Sequence, residues 1–258
     1  MSQPIVNLGY CIRALGRDGP EVPAVGLGLM KIGGTYGPAG GLDKNVAFLE
    51  HAHVAGQRFW DTADMYANSE VGKWVKLSGK RYDILLATKF AIKQEPEVGF
   101  TVRSDPDYAK QACEKSLQRL IVEAMVGYSA FALDIESLSV KLLATCRELG
   151  IAVVAYSPVS RGILIGEIQS PTDFPESDFC RMAPKYSEEN FPQIMELGQG
   201  LKSVAQGPDI FPIPRTRSTK RVDDNTASAL LQLTDKEVQD IQDLMERTEI
   251  PSTRYPAI

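Results

Sequence analysis

Two strand-like runs in the first part of the chain each end in polar residues that could handle protons. The run at residues 59–66 contains Asp61 and Tyr66, and the run at residues 84–89 ends in Lys89. A phenol with a pKa near ~10 is a poor acid at neutral pH, but a nearby ammonium lowers that pKa and a carboxylate holds the ammonium in place. Because buried strands carry such residues at the ends that reach an active-site face, the pattern predicts a proton-delivery set.

Two other interpretations of these residues are open. Asp61 and Lys89 could form only a buried ion pair at the strand ends. Asp61 and Asp64 could instead be the paired carboxylates of a barrel hydrolase, but residues three apart across a strand end do not readily flank one glycosidic bond. We therefore favour proton delivery over hydrolysis.

The composition limits the classes of function. The chain has 258 residues, of which 43% are hydrophobic and 24% charged, as in an ordinary soluble globular protein. The net charge of −5 gives no basic surface for nucleic acid or anionic lipid. We see no secretory signal pattern and no apolar run near ~18 residues. We therefore expect a single cytoplasmic domain over residues 1–258 that neither spans a membrane nor binds nucleic acid.

The few histidines and cysteines give no support for a metal site. His51 and His53 fall in a helical pattern at residues 46–55, and residues i and i+2 of a helix point to different sides. We predict surface or packing roles for both and no bound metal. The four cysteines are scattered, and we expect free thiols in a reducing cytosol.

Short strand-like runs alternate with longer helical patterns along the chain. A hairpin is predicted from residues 11–15 and 22–25, and the alternation after it predicts a parallel sheet covered by helices. The predicted strands then cover residues 58–62, 83–89, 122–128, 151–156 and 210–214, and the predicted helices cover residues 42–55, 69–77, 107–120, 134–149, 190–205 and 219–231. Ser69 is the expected N-cap of the second helix, and a capping-box spacing at Thr234 and Glu237 predicts a last helix.

The number of units is lower than in a closed barrel. We count six β/α units after the hairpin, whereas a closed α/β barrel has eight. The sequence therefore predicts an α/β fold of the (β/α)8 TIM-barrel type that is incomplete and carries an N-terminal β-hairpin.

Six sequence blocks, in this order, resemble the aldo-keto reductase superfamily and most closely its pyridoxal-reductase-like branch. The blocks are residues 26–30, 61–66, 88–89, 128–136, 153–158 and 212–214. Each block is weak alone, but their ordered occurrence over most of the chain is specific. The resemblance implies a (β/α)8 barrel and an oxidoreductase that reduces an aldehyde or ketone to the alcohol with NADPH. The implied partner is a small-molecule carbonyl substrate.

The resemblance also implies catalytic roles for the proton-delivery set. Tyr66 corresponds to the general acid that protonates the carbonyl oxygen. Lys89 corresponds to the residue that lowers the pKa of that phenol, and Asp61 to the carboxylate partner of the lysine.

Residues on two later segments match the part of the family's cofactor site that holds the nicotinamide and pyrophosphate. Tyr156 corresponds to the tyrosine that stacks on the nicotinamide, and Ser157 and Arg161 lie where the next loop approaches the pyrophosphate. Core packing is the alternative role for Tyr156. The long loop at residues 157–187 is the expected substrate lid, and Phe174, Phe179 and Met182 are its candidate apolar wall residues, with packing within the loop as the alternative role.

The basic segment at residues 215–225 matches the family's adenosine 2′-phosphate segment without gaps. Arg215, Thr216 and Arg221 would hold the phosphate, since forked guanidinium donors suit that group. Asn225 would reach the adenine. A solvated basic helix start is the alternative. The segment favours NADPH over NADH.

The chain also departs from the family pattern. Two β/α units are missing after the helix at residues 107–120, and with them the catalytic histidine and the side chains that hold the nicotinamide carboxamide. Met125 stands where the family usually has glutamine, and a second gap falls near residues 206–208. The departures raise an alternative function, a catalytically impaired or inactive member that binds NADPH weakly or acts as an interaction protein.

Overall fold

The structure is a computed structural model. It describes residues 11–32, 41–64, 66, 69–89, 92–95, 99–102, 107–108, 110–112, 114–115, 142–150, 152–156, 158, 162–163, 166–176, 178–182, 186–192, 195, 210–231, 234–237, 239–240 and 243. Several predictions concern other residues and lie outside this part of the chain. They are the strand at residues 122–128 with Met125, the gap near residues 206–208, and the pyrophosphate residues Ser157 and Arg161.

The predicted N-terminal hairpin is present. Strands β1 (Ile12–Ala14) and β2 (Glu21–Pro23) pair in antiparallel fashion. The turn between them is closed by the amide of Leu15, which donates to the carbonyl of Pro20 at 3.0 Å.

The remaining paired strands of the described β/α units are parallel, as predicted. They are β3 (Leu27–Gly28), β4 (Phe59–Asp61), β5 (Leu85–Ala87), β8 (Val153–Tyr156) and β9 (Ile210–Ile213). Strand β4 pairs with both β3 and β5, and β8 pairs with β9. The amide of Gly26 donates to Pro212 at 2.9 Å, and Gly28 forms a parallel bridge with Arg215. These contacts join the two groups of strands in the order β8-β9-β3-β4-β5.

The helices follow the strands as the β/α pattern predicts. They are α1 (Leu42–Val54), α2 (Ser69–Ser78), α3 (Leu142–Leu149) and α4 (Thr219–Ser228). Ser69 is the first helical residue of α2, so its prediction as the N-cap is wrong. Ser218 caps α4, because its side chain accepts from the amide of Arg221 at 3.4 Å. The predicted capping box is present, with the Thr234 amide donating to Glu237 Oε2 at 2.7 Å.

One face of the sheet packs against the helices. Trp60 of β4 and Leu86 of β5 are fully buried among residues of α1, α2 and α4. The members contributed by these helices include Leu49, Trp74 and Val222. The tilted rings of Trp60 and Trp74 lie 4.7 Å apart between centroids, which fixes α2 against β4.

The opposite face of the sheet has its own core. Phe59 and Ala87 pack there with Val154 and Phe211, and Val22 of the hairpin covers the cluster. Because side chains alternate along a strand, burial on both faces gives continuous apolar runs rather than an alternating pattern. This inner face, away from the helices, is the one that leads to the candidate site.

Two features were not predicted from the sequence. Strands β6 (Ile92–Glu95) and β7 (Gly99–Val102) form an antiparallel hairpin after β5, although each has only four residues and β6 carries a single apolar residue. The long segment after β8 contains a small cluster of its own, in which Phe174 packs against Tyr186 and Phe191. Phe174 therefore packs within that segment. Among the described residues, no helix is long and apolar enough to cross a membrane.

Candidate active site

The strand register places Asp61 and Lys89 on the inner face. Asp61 lies two residues after Phe59, and Lys89 lies two residues after Ala87, both of which belong to the inner cluster. Because side chains alternate between the two faces along a strand, the Asp61 carboxylate and the Lys89 ammonium lie on that same face, at the carboxyl ends of β4 and β5. The backbone pairing continues with them, because the Asp64 amide donates to the carbonyl of Lys89 at 2.8 Å.

The three members of the predicted proton-delivery set lie together. Lys89 Nζ forms an ion pair with Asp61 Oδ1 and also donates to the carbonyl of Thr62 at 2.7 Å. The same Nζ lies 5.4 Å from the ring centroid of Tyr66, within the range of a cation–π contact. The lysine is thus held between a buried carboxylate and the tyrosine ring.

The electrostatics of this set follow from burial. Asp61 is 5% exposed, and this burial raises the pKa of its carboxyl, while the charge and hydrogen bond of Lys89 act against the rise. A buried charge is tolerated when it is paired and hydrogen-bonded. The ammonium of Lys89 is therefore held in position by a buried carboxylate.

Tyr156 occupies the corresponding place on β8. It is the last residue of that strand, pairs in register with Ile213 of β9, and is half-buried at the edge of the inner cluster. The predicted nicotinamide residue therefore lies on the same face and at the same edge of the sheet as Asp61 and Lys89.

A set of cations lies at the carboxyl ends of β3 and β9. Its members are Lys31, Arg215, Arg217 and Arg221. Burial lowers the pKa of Lys31, the three arginines lower it further by repulsion, and Asp178 opposes them. Lys31 was missed by the sequence analysis, although its place shortly after β3 is the signal that could have found it.

Thr216 and Asn225, two predicted cofactor residues, occupy different environments. Thr216 is buried, and its hydroxyl accepts from the amide of Ser218 at 3.0 Å, which shapes the turn into α4. Asn225 is half-buried on α4, four residues after Arg221, so the two lie on one side of the helix. The side chain of Arg221 forms an ion pair with Glu167.

The donor chemistry of this cationic set fits a phosphate-bearing group. Guanidinium groups present parallel N–H donors that match phosphate oxygens, and an ammonium adds a point charge. The backbone approaches closely here, since a Cβ built on Gly28 would lie 2.8 Å from the carbonyl oxygen of Ile213. A multiply charged anion would offset the repulsion that the three arginines exert on Lys31.

The histidines have the surface and packing roles predicted for them. His51 Nε2 lies 2.9 Å from Asp223 Oδ1 at the surface, and His53 is buried beside Trp74 with its Nε2 3.1 Å from Asp83 Oδ2. Within the described part of the chain, no group of three or more histidine, cysteine or acidic residues could hold a metal ion.

The sequence matches one protein family in two stretches. The model of the Aldo/keto reductase family matches residues 24–130 and 125–246. The chain is also 34% identical to aldo-keto reductase str7 of Strobilurus tenacellus, over 91% of each protein. It is 32% identical to aldo-keto reductase yakc of Schizosaccharomyces pombe, named for NADP(+), over 95% of this chain and 94% of that one.

A solved structure shares the fold. The glycerol dehydrogenase of Gluconobacter oxydans superposes with a TM-score of 0.72 at 23% identity, covering 97% of this chain and 99% of that one. The described strands and helices thus belong to the (β/α)8 barrel type, as predicted, and they are consistent with an incomplete barrel. The alignment with the Strobilurus protein spans 311 positions, more than the 258 residues present, so it contains gaps in this chain. From the matched family stretches and these two relatives, the chain belongs to the aldo-keto reductase family.

Proposed function

We propose that this protein reduces an aldehyde or ketone to the alcohol with NADPH, and that Tyr66 is the proton donor. The observation that carries the proposal is the Asp61–Lys89 ion pair beside the ring of Tyr66. An ammonium held near a phenol favours the phenolate, which would make Tyr66 a usable acid.

Each residue of the set has a separate task in this proposal. NADPH, when bound, supplies the hydride. Tyr66 donates its hydroxyl proton to the carbonyl oxygen of the substrate, and the ammonium of Lys89 stabilises the phenolate that remains. Asp61 and the carbonyl of Thr62 hold the ammonium in place, so little reorganisation is needed when charge develops.

The proposed cofactor site extends along the carboxyl edge of the sheet. Arg215, Thr216 and Arg221 would hold the 2′-phosphate, with Lys31 added to the set because of its position among the arginines. Asn225 would reach the adenine. The name of the Schizosaccharomyces relative, which specifies NADP(+), supports this choice of cofactor.

The nicotinamide end of the site would be formed by other residues. Tyr156, at the end of β8, would stack on the nicotinamide. Ser157 and Arg161 remain predictions for the pyrophosphate.

A second candidate function is favoured by the sequence. The chain contains no histidine after residue 53, so a second polar donor to the carbonyl has no imidazole candidate. Removing one such donor costs on the order of a hundredfold in rate. The alternative is therefore a family member that binds NADPH but turns over slowly or not at all.

NADPH titration followed by turnover with benzaldehyde separates these functions. We expect saturable binding, slow NADPH oxidation, and loss of oxidation but not of binding in Tyr66→Phe. Tyr82→Phe is the matched control, since Tyr82 is 86% exposed and should keep the full rate. A full rate in Tyr66→Phe would show that another group donates the proton. Binding without turnover in the wild-type protein would favour the second candidate, and no binding would remove the cofactor proposal.

A further inference from the structure

Arg221 already has an anionic partner within the protein. Glu167, from the segment after β8, forms an ion pair with the guanidinium of Arg221 in the first turn of α4. Both side chains are less than half exposed, at 42% and 44%. The guanidinium proposed for the 2′-phosphate therefore meets a carboxylate before any ligand arrives.

The position of Glu167 is set by a tight turn. Its amide donates to the carbonyl of Gly162 at 2.9 Å, and the amide of Gly166 donates to Ile163 at 3.0 Å. Gly162 has a φ of +106°, and a Cβ on it would lie 3.2 Å from Glu167 Oε2. Since Ile163 is buried in the cluster around Phe174, the turn is anchored and holds the glutamate beside α4.

The same segment supplies a second carboxylate to the cationic set. Asp178 acts on Lys31 against the repulsion of the three arginines. Its own position is fixed, because its Oδ1 accepts from the amide of Cys180 at 2.8 Å. The segment after β8 thus places two acids against the cations at the ends of β3 and β9.

We propose that Glu167 is a specificity-determining residue that competes with the 2′-phosphate of NADPH for Arg221 and so reduces the preference for NADPH over NADH. The inference rests on the proposed cofactor. A carboxylate and a phosphate accept from the same guanidinium fork, so a bound phosphate must displace Glu167 and tolerate its charge nearby. NADH carries a hydroxyl at that position, which can donate to an acidic residue, and it escapes this competition.

Calorimetric titrations of NADPH and NADH into four proteins test the proposal. They are the wild-type chain, Glu167→Gln, Arg221→Ala and the double variant. We expect Glu167→Gln to bind NADPH about threefold to tenfold more tightly, the range for losing one screened charge interaction, with no gain for NADH. In the Arg221→Ala background the same change should give no gain. Glu176→Gln is the matched control, because Glu176 is an exposed acid of the same segment.

Three outcomes would overturn the proposal. An unchanged NADPH-to-NADH affinity ratio in Glu167→Gln would mean that the ion pair does not affect the phosphate. Weaker binding of both cofactors in that variant would mean that Glu167 covers the bound cofactor rather than competing with it. In both cases NADPH binding that weakens in Arg221→Ala leaves the proposed cofactor intact. No binding of either cofactor to the wild-type chain or Glu167→Gln would overturn both proposals.

Discussion

Two regions on one edge of the sheet handle charge in opposite ways. In the first, which we call the catalytic corner (Asp61, Tyr66 and Lys89), one ammonium meets one buried carboxylate. In the second, the phosphate corner (Lys31, Arg215, Arg217 and Arg221), three arginines repel Lys31, while Asp178 acts against that repulsion and Glu167 pairs with Arg221.

The comparison indicates that the phosphate corner would gain more from an anionic ligand than the catalytic corner would. The catalytic corner is balanced within the protein, so its geometry is set before substrate binds. In the phosphate corner three arginines act on Lys31 by repulsion, and a bound polyanion would offset that repulsion. Substitutions in the catalytic corner should therefore lower kcat, whereas substitutions in the phosphate corner should weaken NADPH binding.

The largest expected effect is in the catalytic corner. Lys89→Met should lower kcat at least about 100-fold, because Tyr66 loses the ammonium that stabilises its phenolate. NADPH affinity should stay within about twofold. Lys89 lies outside the phosphate corner, and charge interactions over that distance are weakened by salt screening. Lys73→Met, which removes an exposed ion pair with Asp43, is the control. Steady-state kinetics with binding titrations make the measurement, and an equal loss of affinity would break the separation of the corners.

The next effect concerns the junction that brings the corners together. Gly28→Ser should destabilise the fold by about 1–3 kcal/mol, because the new Cβ meets the Ile213 carbonyl at 2.8 Å. Gly41→Ser adds the same side chain where nothing lies within 4 Å and where serine is a good N-cap. Urea unfolding compares the two variants. Equal stabilities would mean that β3 and β9 do not need the close approach of Gly28.

A smaller effect is expected in the phosphate corner. Lys31→Met should weaken NADPH binding by about threefold to tenfold and should raise the Tm of the ligand-free protein slightly, because repulsion from the arginines is relieved. Thermal unfolding with and without NADPH measures both. A ligand-free protein that becomes less stable would contradict the repulsion assigned to Lys31.

The smallest effect lies in the helices behind both corners. Burial lowers the pKa of His53 below its ordinary value of 6.5, Arg58 lowers it further, and a hydrogen bond to Asp83 opposes them. The unfolded chain therefore binds more protons than the folded one just below pH 6.5, and stability is lost as the pH falls through that window. Tm should decrease from about pH 7 to about pH 5, and His53→Gln should flatten the curve. An unchanged dependence of Tm on pH in His53→Gln would mean that another group causes the loss of stability.

Much of the fold could be predicted from local patterns. The hairpin at the N-terminus and the β/α alternation were confirmed, since apolar runs and turn residues report on their own segments. Ser69 was wrongly predicted as an N-cap because a serine at the start of a helix can stand one position inside it. The hairpin of β6 and β7 was missed because its strands are only four residues long and β6 carries a single apolar residue.

The proximity of Asp61 and Lys89 could be predicted from the sequence alone. Asp61 and Lys89 stand at the ends of buried strand-like runs, on the same face as the apolar residues two positions before them. Parallel strands bring their carboxyl ends to one edge of the sheet. Three contacts could be found only in the folded chain: the pairing of Gly28 with Arg215, the place of Lys31 among the arginines, and the contact of Glu167 with Arg221. These contacts join segments that are distant in the chain. No local periodicity in the sequence predicts these contacts, because they depend on which strands pair in the sheet and on where the segment after β8 packs.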